Sequence, residues 1–270
     1  MIDPQAARDL LAFYLEAGVD AVLDDEAADR FADETLPPPT AVARLPESSE
    51  RPAAGPQTRR ATETPAVVLP PPDAATAEAR EAARTAQTLQ DLRAIVERFE
   101  GCGLKATATQ LVFADGNPEA RLMLVGEAPG RDEDIEGRPF VGRSGQLLDR
   151  MLAAIGLDRS SVYIANVLPW WPPGNRTPSS YETQICLPFI QRQIELCNPE
   201  VLVCLGGSSA ETLLGQKGIT KIRGRWFNYD TGTRAIRAMP TFHPAFLLRS
   251  PLQKRFVWRD FLAIKKALSG

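Results

Sequence analysis

Glu127, Asn166 and His243 each stand at the end of a short apolar run, and each side chain is suited to recognition or proton chemistry. A carboxylate can hold a water or move a proton, a carboxamide presents one accepting and one donating side, and an imidazole can donate to a developing anion. His243 is the only histidine of the 270 residues, and Pro244 follows it. A histidine placed in this way is a better functional candidate than most lone histidines.

The turns around these residues are tight or stiff. Residues 126–130 contain two glycines and a proline, which favours a turn whose main-chain N–H groups face a ligand. This turn has neither the glycine spacing of a dinucleotide-binding loop nor the lysine of a phosphate-binding loop, so a nucleotide cofactor is disfavoured. Residues 169–178 hold four prolines and two adjacent tryptophans, and this stiff aromatic surface favours a bound partner.

Four near-continuous apolar runs predict buried parallel strands, because such strands are covered on both faces. The runs lie at 121–125, 162–167, 201–205 and 236–242, and helical patterns lie at 144–155, 179–196 and 252–268. This alternation predicts the α/β class, with three α/β/α layers and a central, mainly parallel four-stranded sheet. Ligands of such sheets bind beyond the carboxyl ends of the strands, so the candidate side chains should meet there.

The first third of the chain differs in composition from the rest. Residues 36–75 contain 10 of the 23 prolines, and no aromatic residue lies between 32 and 98, which predicts a Pro/Ala-rich disordered linker over 32–82. An amphipathic helix is expected near 4–30, in an N-terminal segment 1–31 that docks on the body or on a protein partner. A second helix, near 83–99, should open a folded domain over 83–270.

Charge is divided as unevenly as the prolines. Residues 1–98 carry 10 Lys and Arg against 18 Asp and Glu, whereas residues 99–270 carry 21 against 16. An acidic front and a basic body point to a body that meets an anionic partner. No run approaches the ~20 apolar residues of a membrane span, and the first residues do not read as a secretory leader. We therefore expect a cytoplasmic protein without membrane contact.

Five motifs, in order, resemble those of the family 4 uracil-DNA glycosylases. They are GEAPG with an acidic tail from 126, GRPFVG from 137, the asparagine at 166, PPGNRTP from 172 and HPAFLLR from 243. The resemblance covers about residues 99–268 and implies that the folded domain over 83–270 is a uracil-DNA glycosylase-like catalytic domain. It implies a monofunctional repair enzyme that flips uracil out of uracil-containing DNA and hydrolyses its N-glycosidic bond, leaving an abasic site. No lysine lies in any motif, which disfavours a Schiff-base lyase.

The resemblance also implies a base pocket. Phe140 is similar to the family's ring that stacks on the extruded base, and Asn166 to the amide that reads its Watson–Crick edge. His243 resembles the histidine that faces a uracil carbonyl while the leaving base becomes anionic. The main-chain groups expected to complete the pocket belong to Gly126, Glu127 and Ala128.

Hydrolysis needs a held water, and base flipping needs a wedge and a phosphate grip. Glu133, with Asn175 opposite it by resemblance, is our first choice to hold the water, and Glu127 is the second. The residues expected to wedge the duplex or contact phosphates are Leu247, Leu248, Arg249, Arg143, Ser144 and Arg176.

The chain departs from the family at the iron–sulfur site. The family holds a [4Fe–4S] cluster on four cysteines, and the corresponding residues here are Phe99, Cys102, Trp170 and Cys186. A cubane needs four good ligands, and neither phenylalanine nor tryptophan supplies one. We expect no cluster and no other metal or cofactor, with packing of Phe99 and Trp170 in its place. The alternative is a cluster held as in the family.

Two other functions remain open at the level of the sequence. One is a non-catalytic module of the same fold that binds damaged or single-stranded DNA, and the other is a glycosylase acting on another deaminated base. Glu133, Asn166 and His243 together favour the enzyme acting on uracil. We expect it to be a monomer, with a possible protein partner of the N-terminal helix.

Overall fold

The computed structural model describes residues 72–269, which form a sheet between two layers of helices. The strands are β1 (Asp115–Gly116), β2 (Leu122–Gly126), β3 (Tyr163–Asn166), β4 (Val201–Leu205), β5 (Phe227–Asp230) and β6 (Ala235–Thr241). Their order is β1-β3-β2-β4-β6-β5, and the two edge strands pair antiparallel whereas the inner four pair in parallel.

The expected three-layer α/β/α fold is confirmed, and the inner strands are the four that the apolar runs predict. The described part of the sheet has six strands because β1 and β5 add to its edges. Both edge strands are short, and most of their residues are at least partly exposed. An edge strand needs no continuous apolar run, since one side faces solvent.

Helices cover both faces of the sheet. They are α1 (Pro72–Thr85), α2 (Leu89–Arg98), α3 (Arg131–Glu136), α4 (Arg143–Ala153), α5 (Ser180–Cys197), α6 (Gly207–Leu214), α7 (Ile219–Ile222), α8 (Pro244–Arg249) and α9 (Lys254–Leu268). Met123 and Val125 of β2 face the core under α1, α2 and α5, whereas Leu122 and Leu124 face the core under α4 and α9. Within residues 72–269, no helix is both long and apolar enough to cross a membrane.

The folded domain begins earlier than its composition predicts. Helix α1 starts inside the expected linker 32–82 and packs against α5 through Ala75, Ala79 and Ala83. Alanine is the strongest helix former and buries no polar atom, so a stretch without aromatic residues can pack once a neighbouring helix covers it. The predicted segment 1–31 and the linker before residue 72 lie outside the described residues.

The single helix expected at 83–99 is two helices. A new helix starts after Thr88, whose hydroxyl accepts a hydrogen bond from the Asp91 N–H at 3.0 Å, while the Asp91 carboxylate accepts from the Thr88 N–H at 3.0 Å. This reciprocal pair satisfies main-chain donors that the first turn leaves free. The break between α1 and α2 therefore follows from a capping signal that a search for apolar periodicity does not detect.

A buried charged network anchors the end of β6, the strand that leads to His243. Asp260 of α9 is 2% exposed, and its carboxylate accepts from the Thr241 hydroxyl at 2.7 Å and from the Arg223 guanidinium. The same guanidinium lies 5.8 Å from the centre of the Phe242 ring. Because Thr241 and Phe242 directly precede His243, this network fixes the strand end from which the imidazole projects.

We expect Asp260→Ala to lower the free energy of unfolding by ~3 to 5 kcal/mol, because it leaves a largely buried guanidinium without its partner. The matched control is Asp149→Ala. Asp149 pairs with Arg159 at 2.8 Å, but its side chain is 46% exposed and Arg159 keeps Asp115 as a second partner, so the loss should stay within ~1 kcal/mol. Urea unfolding followed by circular dichroism measures both, and equal losses would contradict the assignment of a buried anchor.

Candidate active site

A cleft of about 800 Å³ opens at the carboxyl ends of the parallel strands. The structure brings twelve of the sequence-predicted site residues to its walls: Glu127, Ala128, Glu133, Phe140, Arg143, Ser144, Asn166, Asn175, Arg176, His243, Leu248 and Arg249. Gly126 lies at the end of β2 directly beside the cleft, and Leu247 does not line it. The parallel topology produces this convergence, because each of the inner strands delivers its following residues to the same edge.

Asn166 forms the polar floor of the cleft. The residue is 5% exposed, and its Oδ1 is the one buried side-chain oxygen or nitrogen in residues 72–269 without a hydrogen-bond partner. A side chain on Gly126, its register partner on β2, would collide with that oxygen and with the Phe140 ring. Glycine at 126 therefore keeps open the space between the amide and the ring.

Phe140 is held in a strained backbone conformation. Its φ is +56°, in the left-handed region that residues other than glycine, asparagine and aspartate rarely adopt. Arg159 donates to the Phe140 carbonyl and, at 3.1 Å, to the Pro139 carbonyl. Gly145 allows the same carbonyl to pass close to α4, since a side chain there would collide with it. The surrounding contacts thus fix the direction of the Phe140 ring.

His243 faces Phe140 across the cleft. The two rings lie 5.5 Å apart between centroids, with 29° between their planes. His243 caps α8, and its Nδ1 accepts a hydrogen bond from the Ala245 N–H at 3.1 Å. Because Nδ1 is an acceptor here, the proton of the neutral ring is on Nε2, which is left to donate to a ligand.

The neutral form of this imidazole is the favoured one. Burial, and to a lesser degree the positive charge of Arg249, lowers the pKa of His243 to about 4 from an ordinary value of 6.5. Near neutral pH the cleft therefore contains an imidazole that donates a hydrogen bond without carrying a charge.

Both carboxylate oxygens of Glu133 accept hydrogen bonds from the main chain. Its Oε2 accepts from the Gly130 N–H at 3.0 Å, and its Oε1 accepts from the Val141 and Gly142 N–H groups at 3.0 and 3.1 Å. The side chain is largely buried between the two glycine-containing loops that it joins. These contacts show Glu133 tethering the two loops, and its predicted water-holding role stays a prediction, because Oε2 can accept a further hydrogen bond.

Glu127 has the free carboxylate instead. It lines the cleft, is half-buried, and has no side-chain hydrogen bond or ion pair with any residue in 72–269. Its main-chain carbonyl accepts from the Leu168 N–H at 3.0 Å, and the neighbouring carbonyl of Gly126 accepts from Val167. The main chain at Glu127 is therefore fixed while the side chain is left available.

Asn175 and Arg176 belong to a loop with internal partners. Asn175 has a φ of +55°, and its Oδ1 accepts from the indole N–H of Trp171 at 2.7 Å. The guanidinium of Arg176 makes a two-pronged ion pair with Glu182, at 2.9 and 2.6 Å, and this pair lowers the pKa of Glu182 to about 2. Arg176 lines the cleft as predicted, but its charge is already matched.

The two leucines predicted to wedge the duplex differ in their exposure. Leu247 is 1% exposed and belongs to the core under α4 and α9, and this burial argues against the predicted contact with DNA. Leu248 is 37% exposed and, with Arg249, projects into the cleft. In a short helix, neighbouring residues point in different directions, and the sequence alone did not show which leucine faces the core.

Arg143 and Ser144 lie in the first turn of α4, at the rim of the cleft. Arg143 is exposed and has no side-chain partner in residues 72–269. The first turn of a helix has free N–H groups and a partial positive charge, both of which favour an anion. Their position is therefore compatible with the phosphate contacts predicted for them.

Sequence reasoning missed two supporting residues. A side chain on Gly206, which has a φ of +101° and follows β4, would be 3.2 Å from the Cβ of His243. The pair of glycines after the third apolar run was a usable signal for this close approach. Arg159, which holds Phe140, gave no local signal, because its partners Asp115 and Asp149 are far from it in sequence.

Comparison with known proteins agrees with this geometry. Residues 113–262 match the family model described as the uracil DNA glycosylase superfamily.

The chain belongs to this superfamily.

The Type-4 uracil-DNA glycosylase of Thermotoga maritima is 43% identical over 178 residues, which cover 64% of this chain and 90% of that protein. The Type-4 uracil-DNA glycosylase of Archaeoglobus fulgidus is 38% identical over 183 residues, covering 66% of this chain and 92% of that protein. The Type-4 enzyme of Sulfurisphaera tokodaii is 38% identical over 185 residues, with 66% and 84% covered.

Four residues of this chain stand where family 4 uracil-DNA glycosylases are expected to hold their cluster. All four lie in one hydrophobic core: Phe99, Cys102, Trp170 and Cys186. The thiols of Cys102 and Cys186 are 3.9 Å apart and buried. Phe99 is 5% exposed and packs edge-on against Phe189, with ring centroids 5.0 Å apart, and Trp170 is 2% exposed. Within the described residues, no group of three or more His, Cys, Asp or Glu side chains is arranged to hold a metal. Two thiols with two aromatic rings do not fit a four-ligand cluster.

We expect the imidazole of His243 to titrate with a midpoint near pH 4 in the folded superfamily member, because burial disfavours its charged form. The folded pKa is below the unfolded one, so the unfolded chain binds the proton more readily. The contribution of His243 to stability is then complete above about pH 6.5 and is lost as the pH falls towards about 4. Proton NMR of the one histidine ring measures the midpoint directly, and His243→Gln serves as the blank. A midpoint at or above 6.5 would contradict the assignment.

Proposed function

We propose that this chain is a monofunctional uracil-DNA glycosylase, which accepts a flipped uracil in the cleft and hydrolyses its N-glycosidic bond. The observation that carries the proposal is the unpartnered, buried Oδ1 of Asn166. A carboxamide presents an acceptor beside a donor, and uracil presents an N–H beside a carbonyl in the matching order. Since a buried acceptor without a partner costs free energy, the pocket favours a base that donates at that point.

His243 suits the departure of the base. As the glycosidic bond breaks, negative charge develops on the uracil carbonyl oxygen nearest to the bond. A neutral Nε2–H fixed in advance by the Ala245 hydrogen bond can stabilise this charge without first losing solvent. Phe140, which faces the same space, would stack on the base and orient it.

Glu127 is the carboxylate that we propose for holding the attacking water. It lines the same cleft as Asn175, and its oxygens have no protein partner in residues 72–269. A negative charge beside the sugar also stabilises the cationic character that the sugar gains. Glu133 then has a positioning role, because it ties the loop that follows β2 to the loop that carries Phe140.

DNA would approach the rim of the cleft. Leu248, exposed at the end of α8, is the apolar residue placed to fill the gap that the flipped base leaves. Arg143, Ser144 and Arg249 offer positive charge and N–H groups to the phosphates. None of the residues that line the cleft in 72–269 is a lysine, which supports hydrolysis by water over a Schiff-base lyase reaction.

The remaining expectations belong to this proposal as well. We propose a cytoplasmic monomer that acts on uracil-containing DNA and whose acidic segment 1–31 binds a protein partner. A basic body and an acidic front fit this division, because the front would be repelled from the phosphates that the body binds.

The decisive measurement is release of uracil from an oligonucleotide with one uracil, followed by cleavage of the abasic site with alkali. We expect Asn166→Ala and His243→Ala to lower the single-turnover rate by about 10²- to 10³-fold, and Glu127→Gln by about 10²- to 10⁴-fold. DNA binding should persist in all three, because they do not contact phosphates. A non-catalytic module would give no alkali-sensitive break with the wild-type chain, and oligonucleotides with other deaminated bases test a shifted specificity.

The matched control for Glu127 is Glu133→Gln. A glutamine keeps one accepting oxygen and loses the other, so this variant should lower the melting temperature while retaining more activity than Glu127→Gln. The opposite order, with Glu133→Gln inactive but unchanged in stability, would return the water-holding role to Glu133.

We further propose that the chain works without an iron–sulfur cluster. The support is the donor set: two thiols 3.9 Å apart, with Phe99 and Trp170 at the other two positions, both packed in the core. The buried aromatic rings fill volume that a cluster and its thiolates would otherwise need. No step of the reaction proposed above passes through a metal.

Aerobically purified protein should therefore be colourless and contain no stoichiometric iron or acid-labile sulfide. A Cys102→Ser/Cys186→Ser variant should keep its glycosylase rate within about twofold, since a thiol that packs as a small apolar group leaves the cleft unchanged when replaced. Iron analysis, visible absorbance and the oligonucleotide assay test both statements. Brown protein with stoichiometric iron would contradict the proposal.

A further inference from the structure

The loop at 169–178 holds two adjacent tryptophans, and the hydrolysis proposed above assigns a role to neither side chain. Trp170 is buried in the core, whereas Trp171 is half-exposed and reaches along the loop. Its indole N–H donates to Oδ1 of Asn175 at 2.7 Å. An indole N–H can only donate, so it can pair only with the oxygen of the amide and never with its nitrogen.

This contact decides which side of the amide the cleft receives. Oδ1 accepts from Trp171 and lies on the side of Gly130, whereas the –NH₂ group of Asn175 has no partner in residues 72–269 and is left for a ligand in the cleft that Asn175 lines. An –NH₂ group donates, and so it can hold a carboxylate oxygen such as that of Glu127 or a lone pair of the attacking water. The reversed amide would present an acceptor and repel the same carboxylate.

The backbone of the loop supports a fixed amide. Gly174 and Asn175 both have left-handed φ values, of 70° and 55°, and the Asn175 N–H donates to the Pro172 carbonyl at 3.0 Å. Trp170, the residue before Trp171, is buried in the core, and Pro172 and Pro173 stiffen the backbone that follows Trp171. Because the backbone on both sides of Trp171 is restrained, its side chain loses little conformational entropy when it makes the hydrogen bond to Asn175.

We propose that Trp171 is a positioning residue of this enzyme, which locks the Asn175 amide so that its –NH₂ group faces the attacking water and Glu127. The inference rests on the proposed glycosylase function and deepens it. Trp171 itself does not line the cleft, and its effect on the rate would pass through Asn175.

The test compares Trp171→Phe, which keeps an aromatic ring and removes the N–H, with Trp258→Phe. Trp258 is 46% exposed on α9, away from the cleft residues. We expect Trp171→Phe to lower kcat about tenfold with KM and melting temperature nearly unchanged, as for the loss of one hydrogen bond to a group that acts in the transition state. Trp258→Phe should leave both constants unchanged.

Two further variants separate positioning from general loop support. In an Asn175→Ala background, Trp171→Phe should cause no additional loss, because the residue through which it acts is already gone. Trp171→His, whose ring also has an N–H donor, should recover part of the rate. If Trp171→Phe costs the same factor with and without Asn175, or stays within twofold of the wild type, the inference is overturned.

The outcome also separates this inference from the proposed function. A wild-type chain that releases no uracil overturns the function and the inference together. An active wild-type chain in which Trp171→Phe leaves kcat unchanged overturns the positioning role alone. If Trp171→Phe lowers both the melting temperature and the affinity for DNA together with kcat, Trp171 has a structural role, and this outcome also rejects the proposal.

Discussion

The active cleft depends on one buried carboxylate. Glu133 accepts three main-chain hydrogen bonds, one from the loop after β2 and two from the loop that carries Phe140. Charge-assisted bonds of this kind are stronger than neutral ones, and in a buried setting their loss leaves several N–H groups unpaired. They allow Phe140 to remain in a left-handed backbone conformation that an isolated loop would abandon. The aromatic wall of the pocket is thus a product of loop tethering as much as of the phenylalanine itself.

Much of this arrangement could be predicted from the sequence, because it follows from short-range patterns. The four inner strands are continuous apolar runs, and a parallel sheet sends the residues that follow them, among them Asn166 and His243, to one edge. What could not be predicted depends on contacts between distant residues. Main-chain donors occupy the carboxylate of Glu133 and leave that of Glu127 free, and packing buries Leu247. The hydrogen bond from Arg159 to the Phe140 carbonyl also joins residues that no local spacing relates. The edge strands and α1 were missed for a related reason, since their apolar content is low and their neighbours stabilise them.

The loop that carries Asn175 is held by packing, a hydrogen bond and an ion pair. Trp170 fixes one point of the loop in the core, Trp171 reaches from there to the amide, and the Arg176–Glu182 ion pair fixes the far end at the start of α5. Glu182 also caps that helix through Ser179. The loop is therefore connected to the core, to the cleft and to a helix terminus by three independent contacts.

The unpartnered Oδ1 of Asn166 bears on which bases the cleft can distinguish. Thymine carries the same imide edge as uracil and differs only by a methyl group on the ring carbon next to one of the two carbonyl groups. Under the proposed role of Asn166, an amide in this orientation would reject cytosine, whose ring nitrogen and exocyclic amine reverse the polarity, and would treat the two imide bases alike. Protection of normal DNA from this cleft must come from its shape. Under the proposed function, steric exclusion of the methyl group, and not the polar contacts, would protect an undamaged A·T pair.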